Sequence, residues 1–124
     1  MDGARTLAKV VRVTRPDTVV VRTPVKELQS YATIHVALFG VTCSEDAKSE
    51  IIDWVEVHSD AGRLFMATVE WLRDPYGRLV ADLVDMQTGE SLCDWLVSRG
   101  VASRNPHHFA EILDAGIESE EPEL

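Results

Sequence analysis

Cys43 is followed at once by Ser44, Glu45 and Asp46, a pattern that marks a helix start, and a helix N-terminus favours a thiolate. No histidine is adjacent in sequence to act as its base, so a cysteine nucleophile is not expected. Cys43 and Cys93, with four histidines, show no C-x-x-C or H-x-x-x-H spacing, which argues against a structural zinc site. The remaining candidates sit in turns. Asp17 closes the turn Arg15-Pro16-Asp17, Glu45 stands at the predicted helix start, and Arg78 ends the turn Asp74-Pro75-Tyr76-Gly77-Arg78. Taken singly, each has a plain structural role: a Pro-Asp turn, a carboxylate favoured by the helix dipole, a cation after a hairpin glycine. Tyr76 is either a ring packing on its turn or a platform on which a base stacks.

The elements that carry these residues are legible from periodicity. Leu7 to Val13 and Thr18 to Thr23 are rich in β-formers and flank the Arg15–Asp17 turn, which predicts a hairpin. Pro24 is expected to end the second strand, and Ala32 to Val41 forms a third, with Thr33, His35 and Ala37 on one face and Gly40 marking a bulge or tight bend. From Ser44, read as the N-cap, Ala47, Ile51, Trp54 and Val55 recur at helical spacing, which predicts about four turns. Leu64 to Trp71 and Leu79 to Val84 form a second hairpin around the Asp74–Arg78 turn. Leu92, Trp95 and Leu96 mark a short helix stopped by Gly100; a last helix is capped by Asn105, carries Phe109, Ile112 and Leu113, and ends at Gly116. Trp54 and Trp95 fall at apolar helical positions and read as core.

The order β-β-β-α-β-β-α-α predicts a small closed five-stranded Greek-key barrel of the OB type with three helices. A chain of 124 residues supports one hydrophobic core, so residues 1–117 read as one domain. Glu118 to Leu124, with four glutamates, reads as a disordered solvating tail, the alternative being a docking motif. No apolar run approaches the roughly 20 residues a membrane helix needs, and Met1–Arg5 does not begin an export signal. The expectation is a soluble cytoplasmic protein with reduced thiols. Charge is unevenly spread: residues 1–44 hold six Lys or Arg against three Asp or Glu, whereas the rest hold six against eighteen, giving −9 in all. An acidic whole disfavours unspecific electrostatic binding to nucleic acid.

Four segments together resemble the staphylococcal nuclease family: Ala8 to Val19, Val36 to Glu45, Asp74 to Arg78, and Leu92 to Ala102. The resemblance runs in order from about Ala8 to Gly116. It implies an OB barrel with a calcium-dependent phosphodiesterase site, into which Asp17 brings a calcium-binding carboxylate, Glu45 the water-activating carboxylate, and Arg78 a phosphate-binding guanidinium. Two of the family's residues are missing. Ala37 stands where the phosphorane-stabilising Arg belongs, and Thr42 where the second calcium-binding Asp belongs.

Calcium takes six to eight oxygens, so losing a carboxylate at Thr42 weakens the site steeply. A preorganised donor such as the missing Arg is worth roughly 3–4 kcal/mol of transition-state stabilisation. Together the two losses reach about 10⁴ or more in rate if independent. His35, two residues from Ala37 at about 7 Å on the same strand face, and Arg15, beside the Asp17 turn, are the cations that could compensate. An imidazole cannot reproduce the guanidinium fork. The expectation is therefore a nuclease-like domain that has lost hydrolysis and binds a protein or single-stranded nucleic acid, with Arg15, His35 and Tyr76 as contact residues. The alternative is a weak metal-dependent nuclease, with calcium as the cofactor if the site still works. The sequence does not fix an oligomeric state.

Overall fold

The computed structural model describes residues 5–25, 29–58, 63–105 and 107. Its strands are β1 (Arg5–Leu7), β2 (Lys9–Arg15), β3 (Thr18–Val25), β4 (Ser30–Leu38), β5 (Val41–Cys43), β6 (Leu64–Arg73), β7 (Leu79–Asp85) and β8 (Ala102–Arg104). The helices are α1 (Ala47–His58) and α2 (Leu92–Ser98). Six strands form one mixed sheet in the order β1-β6-β7-β4-β3-β2, and β5 pairs with β8 apart from it. All neighbours in the large sheet are antiparallel except β4 and β7, whose Val36, Ala37 and Leu38 run parallel to Leu79, Val80 and Ala81.

The result is a barrel-like β-rich fold, and it corrects the closed five-stranded barrel expected above. The first strand is divided at Ala8, whose N–H donates to Leu64 O at 2.9 Å. Its first piece pairs with β6 and its second with β3, so β1 and β2 are the two edges of the ladder and, among the described residues, no ladder joins them. Two helices lie among the described residues. The third, expected from Asn105 to Gly116, and the acidic tail lie outside them, although Asn105 Oδ1 does accept the His107 N–H at 3.1 Å.

Alternation places the core. Val19 and Val21 of β3, Val36 and Leu38 of β4, and Leu79, Ala81 and Leu83 of β7 pack with Met66 of β6 and with Ile51, Trp54, Leu92 and Leu96 of the helices. Each such side chain, fully buried, contributes about 1.5–3 kcal/mol of hydrophobic stabilisation. Trp54 is buried as expected, while Trp95 is only half-buried, with the Arg99 guanidinium 5.4 Å from its ring.

Three boundaries differ from expectation. Pro24 does not end its strand but pairs with Tyr31 one residue before β3 stops. The third strand stops at Leu38, because Gly40 adopts φ +81°, a left-handed conformation suited to glycine, and turns the chain away. The residues beyond it become β5. Ser44 does not cap α1: its hydroxyl donates to Val101 O at 3.1 Å, and the twelve-residue helix begins at Ala47.

Candidate functional site

Two turns, opposite each other on the β3–β4–β7 part of the sheet, build a cleft around Arg78. In the first, Pro16 and Asp17 connect β2 to β3, with Arg15 paired to Thr18. In the second, the buried Asp74 carboxylate organises the whole loop. Its Oδ1 accepts the backbone N–H groups of Tyr76 at 3.0 Å and Arg78 at 2.9 Å, and its Oδ2 accepts Arg78 Nε at 2.7 Å. Such an Asx-type turn presets the arginine before any ligand arrives.

Arg78 then reaches across the cleft. Its Nη1 donates to Thr18 Oγ1 at 2.6 Å and lies 3.5 Å from Asp17 Oδ1, to which the Thr18 hydroxyl itself donates at 3.0 Å. Tyr76 is 83 % exposed, with the Arg78 guanidinium 5.6 Å from its ring centroid. The cleft holds about 660 Å³ and is lined by Arg15, Thr18, His35, Arg73, Tyr76 and Arg78 among others. Three guanidiniums and an imidazole thus face one space on a protein of net charge −9. The nearby Asp17 and Asp74 are both engaged by Arg78.

Of the residues singled out in the sequence, Arg15, His35, Tyr76 and Arg78 line this cleft and Asp17 borders it through Arg78. Ala37 pairs with Thr18 on one side and Val80 on the other, and is buried. Directly opposed residues share a sheet face, so Ala37 lies in the row that Arg78 touches at Thr18. Glu45 and Thr42 do not line the cleft. Glu45 is exposed in the segment before α1, and Thr42 is exposed on β5, beside a shallow hollow formed with Cys43 and Gly100. Asp74, Thr18 and Arg73 were not singled out. For Asp74 the signal was present, since an Asp followed by Pro and Gly is a turn whose side chain binds its own backbone.

The cysteines are poor nucleophiles. Burial, and then the negative charge of Asp17, push the Cys43 thiol up to about 11. Burial and the Asp82 carboxylate raise Cys93 as well. A second polar cluster lies at the far end of α1, where buried Asp85 meets His58 Nδ1, Arg63 Nε at 3.3 Å and the Gln87 N–H at 2.8 Å. His58 Nε2 faces Glu90 Oε1 at 2.9 Å, and the Trp54 ring stacks on the imidazole at 4.3 Å. The Arg63 guanidinium, with His58 and two backbone N–H groups, outweighs burial and holds the Asp85 carboxyl well below the usual range. This cluster fastens α1 to β7 and the turn after it.

Among the described residues, no group of three or more His, Cys, Asp or Glu side chains is placed to hold a metal ion. No helix among them is long and apolar enough to cross a membrane.

No family model matches the chain, and no curated protein matches it. Among solved structures it is similar to the extended Tudor domain of human TDRD1 in complex with a symmetrically dimethylated peptide. The two share 16% identity and a TM-score of 0.45, over 79% of this chain and 57% of that one.

Proposed function

We propose that this chain is a nuclease-like barrel domain that does not hydrolyse phosphodiesters and instead binds a protein or single-stranded nucleic acid through the Arg78 cleft. The observation that carries the reading is the engagement of Asp17. The carboxylate that the nuclease resemblance assigns to calcium is hydrogen-bonded by Thr18 at 3.0 Å and lies 3.5 Å from Arg78, both through Oδ1, so a guanidinium already balances part of the charge a cation would need. The donor set does not fit calcium, which needs six to eight oxygens, several of them anionic. Thr42 offers a hydroxyl in place of a carboxylate, and Glu45 does not line the cleft. No catalytic step is therefore routed through a metal.

What the cleft's own residues can do is hold an anion. Arg78, fixed through Nε by Asp74 and through Nη1 by Thr18, presents its remaining N–H groups; Arg15 and Arg73 add charge; and Tyr76 offers an open ring face for a base or an apolar side chain. The OB reading of the fold is supported by the first strand, which contributes to both edges of the ladder, and by the β4–β7 parallel pair.

The test is incubation of the chain with labelled single-stranded and duplex oligonucleotides in calcium, beside binding titrations with oligonucleotide and with acidic peptide. The expected result is no cleavage, with binding to one probe that weakens in Arg78→Ala. Calcium-dependent cleavage abolished by Glu45→Gln, or no binding to either probe, overturns the proposal.

One observation favours a second reading, a weak nuclease using Asp17, Glu45 and Arg78. Arg15 and His35 line the same cleft as Arg78, where either could supply the charge that Ala37 lacks. Calorimetry separates the two readings. No divalent-ion binding at millimolar concentration, with or without oligonucleotide, leaves a nuclease without its Lewis acid.

A further inference from the structure

Tyr31 of β4 is 64 % exposed, and the Arg22 guanidinium of β3 lies 5.3 Å from the centroid of its ring. Arg78 and Tyr76 repeat this pairing in the cleft. Both pairs sit on one face of the sheet. Tyr31, Thr33, His35 and Ala37 of β4 are opposed by Pro24, Arg22, Val20 and Thr18 of β3. Val19, Val21 and Val36 point into the core, so these four rows lie on the opposite face. Arg78 touches the last row at Thr18. Ala37, in that row, is six residues beyond Tyr31, or about 20 Å at the rise of a strand. The cleft already covers part of this distance, since its lining runs from Tyr76 and Arg78 through His35 to Thr33, the residue opposite Arg22.

Between the two pairs the face is cationic. Lys9, Arg12 and Arg15 are spaced three apart, and on a regular strand such residues fall on alternating faces. Two irregularities in β2 cancel this. Between Val10 and Arg12 and again between Val13 and Arg15, β2 advances two residues while β3 advances one. Each bulge inserts one residue and resets the parity, so Lys9 pairs with Arg22, Arg12 with Val20 and Arg15 with Thr18, all in the rows just named. Lys9, Arg12, Arg15 and Arg22 are exposed, and among the described residues none of them has a carboxylate partner.

A line of cations tracks a phosphate backbone, and exposed rings take unstacked bases; together they are the two parts of a single-strand site. A duplex keeps its bases stacked on one another, and an acidic peptide has no base to lay on the rings. We propose that the partner of this face is single-stranded nucleic acid, which runs from the Tyr76–Arg78 end of the cleft along β3 and β4 to a second stacking station at Tyr31 and Arg22, with Lys9, Arg12 and Arg15 on its phosphates. The proposal rests on the cleft being a binding site and names its partner.

The test titrates a labelled oligothymidylate of about 12 nucleotides, within the roughly 4–16 that such a face covers, onto the full chain in chelator, so that cleavage does not intervene. A duplex of the same length and oligoglutamate are titrated beside it. The expected result is single-strand binding that Tyr31→Ala weakens about tenfold and Tyr31→Phe preserves, because stacking needs the ring and not the hydroxyl. Lys9→Gln and Arg12→Gln, both at exposed positions, each lower the slope of log affinity against log salt by about 0.7, the value of one phosphate contact on a single strand. Single-strand binding that falls in Arg78→Ala but is indifferent to Tyr31→Ala overturns the second station and leaves the cleft standing. Binding that needs Tyr31 and is indifferent to Arg78→Ala supports the station and overturns the cleft. Duplex or oligoglutamate bound as tightly as the single strand, or no single-strand binding, overturns the proposal.

Discussion

Arg78 and Asp74 are bound twice within one five-residue turn: Arg78 Nε donates to Asp74 Oδ2 at 2.7 Å, and the Arg78 backbone N–H donates to Oδ1 at 2.9 Å. The carboxylate thus fixes both the loop and the cation that the loop presents. An arginine already held in place loses little conformational freedom when an anion arrives, which is the energetic advantage of such an arrangement.

Asp74→Ala removes this control. The Tyr76 and Arg78 amides and Arg78 Nε lose a buried ionised acceptor, a change that costs about 2–3 kcal/mol. Urea unfolding checks the cost. Asp74→Asn keeps one oxygen acceptor and is expected to fall between the two. Both variants weaken anion binding in the cleft through Arg78.

Acid should weaken the fold through Asp85. Its folded carboxyl titrates below the ordinary range, chiefly because Arg63 stabilises the charged form, so the unfolded state binds the proton more readily. The contribution is fully present above the unfolded value of about 3.9 and is lost as pH falls below it. Urea midpoints measured between pH 7 and pH 2 are expected to hold steady and then drop below about pH 4. In Asp85→Asn the stability at pH 7 is lower and the acid limb shallower.

The thiols should be slow to alkylate in the native state. With Cys43 raised to about 11, its thiolate fraction at pH 8 is small, and Cys93 is buried. Mass spectrometry after iodoacetamide treatment is expected to find Cys43 modified faster as pH rises from 8 to 10, and Cys93 modified only on unfolding. Asp17→Asn removes the negative charge beside Cys43 and speeds its modification.

Gly40 is required by its backbone rather than by space: φ is +81°, and a Cβ there would meet nothing within 4 Å. Gly40→Ala is therefore expected to cost about 1–2 kcal/mol through conformation alone. A urea midpoint close to that of the parent would contradict this.

The same glycine explains where the sequence misled. Turn chemistry located Asp17 and Arg78, and strand parity put His35 and Ala37 on one face; these features are local, and the pairing of β3 with β4 keeps them together. Glu45 was expected to join them through the nuclease resemblance of Val36 to Glu45, a stretch that reads as one strand running into a helix. Gly40 instead ends the strand at Leu38, and Val41–Cys43 pairs with Ala102–Arg104, more than fifty residues away. A three-residue strand has too little pattern to announce such a partner. The bulges of β2 were equally silent, since nothing in Lys9-Val10-Val11-Arg12 says which residue will be the extra one.

Fluorescence anisotropy of a labelled single-stranded oligonucleotide, followed for hours with the full chain in calcium, tests binding against cleavage most directly. A cleft that binds single strands predicts a salt-sensitive rise that stays constant with time and is lost in Arg15→Ala and Arg78→Ala, and a cleft that binds acidic peptide predicts neither rise nor decay. A rise that decays as the probe is cut, and that no longer decays in Glu45→Gln, would contradict it.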